Sequence, residues 1–121
     1  MKADAKPRIY AMPFARIYPL YLAKVERKGR SKAEVDAVIA WHTGYAGDSL
    51  AAALDSGIDC EAFFDRAPAL NPNRDLVKGL ICGVRVEAIE APTMREIRIL
   101  DKLVDELANG RPLEKILRRP A

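Results

Sequence analysis

Residues 92–110 read PTMREIRILDKLVDELANG and contain the longest helical pattern of the chain. Apolar residues recur there every three or four positions, which places them on one face of an α-helix. Pro92 suits a first helical turn, and Asn109 with Gly110 is typical of a helix end. The stretch therefore predicts a long helix whose apolar stripe must pack against other elements. The stripe consists of Met94, Ile97, Leu100, Leu103, Val104 and Leu107.

The helix nearest the N-terminus is predicted from YPLYLAKVERKG, residues 18–29. An interior proline loses a backbone hydrogen bond and collides with the carbonyl four residues earlier. We therefore expect this helix to start near Pro19, with only a short turn over residues 13–18, and to end at Gly29.

A further helix follows Ser31. Ser31 and Glu34 form a capping box, in which each side chain accepts a hydrogen bond from the backbone amide of the other residue. Val35, Val38 and His42 continue the apolar face, and Gly44 provides a C-terminal stop.

Three short helices complete the predicted set. Asp48 can cap one that ends at Gly57, and Asp59 can cap another that ends before Pro68. Pro112 begins a last short helix near the C-terminus.

Residues 71–88 allow two interpretations. Asn71 and Pro72 form a helix start, and apolar residues continue at helical spacing as far as Val84. In this helix, Gly79 and Gly83 would lie one turn apart and leave a notch for a close neighbour. The alternation over residues 84–88 instead indicates a short, half-exposed strand. We favour the helix and keep the strand as the alternative.

These patterns predict an all-α fold. We expect one compact domain over residues 1–121, with about six or seven helices, several of them short, and a possible short strand near residues 84–88. Residues 1–12 and 118–121 are expected to be frayed ends.

Composition excludes several classes of protein. The net charge of +3 is too small to indicate a nucleic-acid partner, and the basic run Lys24–Lys32 has no interleaved aromatic residue, so we interpret it as a solvated turn. Pro13, Arg16 and Pro19 interrupt the N-terminal apolar residues, which argues against a signal peptide or a membrane span. We expect a cytoplasmic protein with no membrane association.

The residues that carry chemistry are few. One histidine and two distant cysteines, Cys60 and Cys82, do not make a zinc site, so we predict no metal and no cofactor. Both thiols are expected to be buried and free. His42 is interpreted as a packed side chain bonded to a backbone carbonyl, and no catalytic residue is assigned.

The ligand-binding hypothesis involves two groups of side chains. Trp41 and Tyr45 could line a pocket, and Asn71, Asn73 and Arg74 form a polar group that could bind an anion at a helix start. Helix capping and solvation explain the second group as well, and we favour that interpretation.

Three segments resemble the bacterial family known as domain of unknown function number 2200. They are YPLYLAKVERKGRSKAEVDAVIAWHTGY at 18–45, FFDRAPALNPNR at 63–74 and KGLICGVRVEAIEAPTMREIRILDKLVDELANG at 78–110. The resemblance covers nearly the whole chain. It implies a small bacterial cytoplasmic domain and supplies no catalytic residues.

Three functions remain open. The first is a helical module that binds itself, as a homodimer, or another protein. The second is a ligand-binding protein or small enzyme with a pocket near Trp41, Tyr45 and residues 71–74. The third is a DNA-binding helix-turn-helix over residues 31–56, which we disfavour because Asp48 and Asp55 would repel phosphates and the second helix offers no Arg, Lys, Asn or Gln to read base edges.

Overall fold

The computed structural model describes residues 6–120 and has a mainly α-helical fold, as predicted. The described chain contains six α-helices and one antiparallel two-stranded hairpin, with three short 3₁₀-helices between them. The α-helices are α1 Phe14–Glu26, α2 Lys32–Thr43, α3 Asp48–Ser56, α4 Cys60–Asp65, α5 Pro92–Ala108 and α6 Leu113–Ile116. The strands are β1 Leu80–Ile81 and β2 Val84–Arg85, and the 3₁₀-helices are Arg8–Ala11, Pro72–Leu76 and Val86–Ala88.

Helix α5 forms the centre of the core. Helices α1, α2, α4 and α6 and the first strand of the hairpin all contact it. Leu100, Leu103, Val104 and Leu107 are fully buried, which confirms the apolar stripe expected from the sequence. A helix with neighbours on so many sides fixes the relative positions of the elements that pack against it.

Of the caps predicted for α2, α3 and α4, two are confirmed. The amide of Glu34 donates to Ser31 Oγ over 3.2 Å, and the Ser31 amide donates to Glu34 Oε1 over 3.1 Å, which completes the capping box of α2. Asp59 caps α4 by accepting from the Ala62 amide. The prediction that Asp48 caps α3 is wrong, because Gly47 is the N-cap residue and Asp48 already belongs to the helix.

The predicted start of the first helix is also wrong. Helix α1 begins at Phe14, so Pro19 lies in its interior. The amide of Phe14 donates to the carbonyl of Ile58 over 2.9 Å, and this contact anchors the first turn without any help from the proline. Pro19 is exposed, so water can solvate the carbonyl that loses its helical partner.

The described residues near each end of the chain take part in defined contacts. Instead of fraying, Arg8–Ala11 forms a 3₁₀-helix with Tyr10 buried against the core. At the other end, Arg118 donates to both carboxylate oxygens of Glu106, at 2.6 and 2.7 Å. Residues 1–5 and 121 of the predicted frayed ends lie outside the described residues.

The favoured helix over residues 71–84 is wrong. Asn71 does act as a cap, because its side chain accepts from the Asn73 amide, but the helix is a single 3₁₀ segment that ends at Leu76. A hairpin follows, so the strand alternative is confirmed for Val84–Arg85, while Val86–Ala88 forms a 3₁₀-helix. Positive φ angles at Cys82 (51°) and Gly83 (78°) form the two-residue loop, and this conformation excludes an α-helix.

Candidate functional site

A buried polar network joins α2, α5 and the 3₁₀-helix that starts at Pro72. Glu96 of α5 is its centre, with Oε1 at 2.9 Å from His42 Nε2. Arg74 Nε donates to both oxygens of the same carboxylate, at 3.1 and 2.9 Å. One carboxylate therefore connects three segments that are distant in sequence.

The end of α2 explains why these residues meet. The last carbonyls of an α-helix have no partner within the helix. Here the amides of Ala69 and Asn71 donate to the carbonyls of Thr43 and His42, each over 3.0 Å. This contact lays the following loop across the end of α2. Gly44 permits the close approach, because a Cβ at that position would lie 2.8 Å from the Ala69 nitrogen.

The same loop orients the guanidinium of Arg74. Its second nitrogen donates to the Asn71 carbonyl over 2.9 Å, while its Nε faces Glu96. The loop thus delivers a positive charge to a carboxylate that is only 13% exposed. The ion pair stabilises the junction between α2, α5 and the loop.

His42 is neutral in this environment. Its side chain is fully inaccessible, and burial lowers the pKa of the imidazole more than the neighbouring Glu96 raises it. Since a carboxylate only accepts, Nε2 carries the proton and donates it to Glu96. Nδ1 is buried without a hydrogen-bond partner within residues 6–120. The expected bond from His42 to a backbone carbonyl is thus replaced by a bond to a carboxylate.

Glu96 remains ionised next to His42. Burial alone raises the pKa of its carboxyl group, but the hydrogen bond from His42 and the hydrogen bonds and charge of Arg74 outweigh burial and lower the pKa overall. Both oxygens already accept from these two partners. Glu96 therefore serves as an anchor and has little capacity left to act as a general base.

An open cleft of about 280 Å³ lies beside the network. Three apolar side chains form part of its wall, and four polar ones surround them. The lining residues are Phe64, Asp65, Leu70, Arg74, Pro92, Thr93 and Glu96. The volume is close to the lower end of small-molecule sites, which span roughly 300–1,000 Å³. His42 is absent from the lining, so the cleft can hold a ligand but offers it no imidazole.

Of the five sequence-predicted site residues, only Arg74 lines this cleft. Tyr45 belongs to the core, where its ring stacks on Phe63 and its hydroxyl donates to the Phe63 carbonyl over 2.8 Å. Trp41 is partly buried against the core and does not reach the cleft. Trp41 and Tyr45 therefore do not share this cleft with Arg74.

Asn71 and Asn73 have structural positions. The Asn71 side chain accepts from the Asn73 amide, and the Asn71 carbonyl accepts from Arg74. Sequence reasoning missed Glu96, because its partners lie 22 and 54 residues away and a lone glutamate in a helix gives no signal of its own.

The two free thiols differ in environment. Cys60 is buried, and desolvation raises the pKa of its thiol to about 11, which makes it a poor nucleophile at neutral pH. Cys82 is exposed at the hairpin loop, so the prediction that it is buried is wrong. Within residues 6–120, no group of three potential metal-ligating side chains is found.

The hairpin carries a second notable surface. Four large apolar side chains are exposed in the described chain, and three of them fall between residues 76 and 84. We call Leu76, Leu80 and Val84 the hairpin surface; their side chains are 42%, 56% and 41% exposed. Leu20, on α1, is the fourth, at 65%. The strand register pairs Leu80 with Arg85 and Val84 with Ile81, so Leu80 and Val84 lie on opposite faces of the hairpin. Exposed apolar side chains of this size are a common feature of protein contact sites.

None of the helices in residues 6–120 is both long and apolar enough to span a membrane.

Comparison with known proteins gives a family but no activity. Among solved structures, the chain is similar to one titled "Crystal structure of uncharacterized protein SP1917", with a TM-score of 0.86, 44% identity and 94% of each chain covered. No curated protein matches significantly. A family profile described as "Uncharacterized protein conserved in bacteria (DUF2200)" matches residues 8–118, so the chain belongs to this family, as its sequence motifs predicted.

Proposed function

We propose that the protein is a non-enzymatic binding module that self-associates through its hairpin surface. The observation that carries this proposal is the exposure of Leu76, Leu80 and Val84 within nine residues of chain. Large apolar side chains that remain in water lose the favourable free energy of burial, which is about 25 cal/mol per Å². A contact with a second chain that covers these side chains recovers this free energy of burial.

The charges around the hairpin surface favour a second copy of the same chain. Its exposed charged residues are Asp75, Lys78, Arg85 and Glu87, two acidic and two basic. A strongly charged partner, whether acidic or basic, would experience no net electrostatic attraction to this surface. A two-fold symmetric dimer instead requires one patch that is complementary to itself, and a neutral patch with both signs meets this condition.

The hairpin also has the geometry of a contact element. Val77, Ile81 and Val86 are buried and hold it against the body of the protein, with β1 next to α5. β2 pairs with β1 alone, so its other edge has no strand partner within the described residues. An edge strand of this kind can pair with another chain.

Several observations support a binding role over an enzymatic one. His42 is inaccessible to a substrate, Glu96 is fully engaged by its partners, and the thiol pKa of Cys60 is high. We also propose a cytoplasmic location, since the reducing conditions there keep the free thiols Cys60 and Cys82 unpaired.

The test is the solution mass of matched variants. Light scattering after size-exclusion chromatography should give a dimer for the wild type, a monomer for Leu80→Glu and a dimer for Leu20→Glu. Both substitutions put the same charge at an exposed leucine, so only the position differs. A monomeric wild type at high concentration, or equal dissociation of both variants, would contradict the proposal.

A second candidate function is ligand binding at the cleft beside Glu96. It is favoured by the convergence of Arg74, Thr93 and Glu96 on an apolar wall that contains Phe64 and Leu70. A metabolite at a hundred times its dissociation constant should stabilise the fold by about 2.7 kcal/mol. A thermal-shift screen can detect this effect, and Thr93→Leu should abolish it. No shift with any metabolite, or a shift that survives in Thr93→Leu, would exclude the cleft as the site.

A further inference from the structure

Basic residues are concentrated in two segments of the chain. Residues 24–34 and 102–119 contain 10 of the 20 Lys and Arg but only 5 of the 17 Asp and Glu. The remaining residues carry a slight negative excess. The small overall charge of +3 therefore conceals a strong local concentration of positive charge.

The two segments meet at one end of the molecule. Arg30 donates to the carbonyl of Arg111 over 2.8 Å and to the carbonyl of Leu107 over 3.1 Å. Lys24 forms an ion pair of 3.0 Å with Asp105. The turn after α1 thus packs against the C-terminal end of α5. Because Arg30 is paired with Glu34 over 2.8 Å and Lys24 with Asp105, the positive charge that this turn adds to the surface is that of the exposed Arg27 and Lys28.

A buried carboxylate organises this surface. Glu106 is 7% exposed and binds Arg118 through both oxygens, at 2.6 and 2.7 Å. It also lies 3.1 Å from Arg111 and 4.0 Å from Lys102. One negative charge holds three cations, which leaves a local excess of positive charge on a fixed scaffold.

The outer part of this surface is a groove of about 580 Å³. Its lining residues are Arg111, Glu114, Lys115, Arg118 and Arg119. Lys115 and Arg119 are exposed and form no ion pair within residues 6–120. We call these residues, together with Arg27, Lys28 and Arg30, the basic end.

We infer that the basic end binds the phosphate backbone of nucleic acid without reading its sequence. Arginine predominates over lysine at this end, and the planar guanidinium matches a phosphate group through two parallel hydrogen bonds. Clustered cations gain affinity by releasing the counterions of the backbone. Within residues 6–120, the exposed large apolar side chains are Leu20 and the hairpin surface, so the described part of the basic end presents none for stacking on bases or for insertion into a membrane.

The proposed nucleic-acid contact does not use a helix-turn-helix. The helix that would enter a groove in that motif, α3, carries Asp48 and Asp55 and no side chain suited to read bases. The basic end instead joins the run Lys24–Lys32, which looks like a solvated turn in the sequence alone, to a C-terminal segment about 80 residues later. The surface exists only in the folded chain.

The test is a binding titration with a fluorescein-labelled DNA duplex of random sequence, followed by fluorescence anisotropy at several salt concentrations. The double variant Lys115→Ser, Arg119→Ser removes two exposed charges and leaves the Glu106 ion pairs intact. The control, Arg8→Ser with Arg16→Ser, removes the same charge from exposed positions outside the basic end. Arg16 lies about 16 Å along α1 from Arg27.

The wild type should bind at low salt, with an affinity that falls linearly on a log–log plot against salt. The slope should decrease by about 1.8 in the Lys115/Arg119 variant and stay unchanged in the control. Three results would overturn the inference: no binding at low salt, equal losses in the two variants, or equally tight binding of polyglutamate or of phosphatidylserine vesicles. The wild-type titration decides the first and third even if a variant fails to fold.

Discussion

Glu96 shows how one residue can organise a small helical protein. It accepts from His42 and Arg74 and so connects α2 and the loop before the hairpin to α5. Arg74 is only 23% exposed and has two partners, so it stabilises this junction more than an exposed arginine would. Neither role is visible in the sequence, because hydrogen bonds over 22 and 54 residues leave no periodic pattern.

The buried state of His42 predicts a specific pH dependence of stability. Burial lowers the pKa of His42 in the folded protein, whereas the unfolded chain retains a value of about 6.5. Below that pH the unfolded state binds a proton that the folded state does not. Stability is therefore complete above about pH 6.5 and falls as the pH decreases, by at most about 1.4 kcal/mol per pH unit.

Urea unfolding between pH 8 and about pH 5 checks this expectation, because His42 is the only histidine in the chain. The variant His42→Gln keeps a side-chain N–H that can donate to Glu96 but does not titrate. Its free energy of unfolding should be nearly constant over this range. Equal slopes in the wild type and the variant would mean that His42 is not buried in its neutral form.

The elements differ in how far their sequences determine them. Helix α5 and the cap of α2 follow from local patterns: an apolar repeat in one case and a Ser–Glu pair three residues apart in the other. The alternation over residues 84–88 indicates the second strand of the hairpin, but the apolar residues of residues 76–84 also fit helical spacing, and only the backbone angles at Cys82 and Gly83 reveal the turn. The proline rule predicts that α1 starts near Pro19. The helix starts upstream of Pro19 instead, because a tertiary hydrogen bond of Phe14 fixes its first turn.

The hairpin loop contains two residues with positive φ angles, Cys82 and Gly83. Gly83 has a φ of 78° and open space where a Cβ would lie, so Gly83→Ala should destabilise the fold through backbone strain and not through overpacking. We expect a loss of about 1 kcal/mol in the free energy of unfolding. Cys82, with a φ of 51°, carries the same kind of strain.

Asparagine tolerates the left-handed conformation better than most residues, and Asn-Gly is the preferred pair for this turn. Cys82→Asn should therefore stabilise the protein by about 0.5 kcal/mol. Cys82→Ser is the control, since it removes the sulfur without that preference and should leave stability unchanged. If serine and asparagine gave the same free energy of unfolding by urea denaturation, the loop would not be strained at residue 82.

At the scale of the whole molecule, the sequence predicts the class of fold and most of the helices but not the surfaces. Local rules determine where helices form, whereas the positions of Glu96, the hairpin surface and the basic end depend on how the helices pack around α5. Trp41 and Tyr45 illustrate the difference. Their aromatic character suggested a pocket, yet Tyr45 stacks on Phe63 in the core and Trp41 lies away from the cleft.

Hydrogen exchange at two protein concentrations tests self-association through the hairpin surface, because it locates the contact. Peptides that cover residues 76–87 should exchange more slowly at high concentration than at low concentration. Peptides from α1 around Leu20 should exchange at the same rate at both, and Leu80→Glu should abolish the difference. Exchange over residues 76–87 that is independent of concentration, or protection that appears only elsewhere, would contradict the claim.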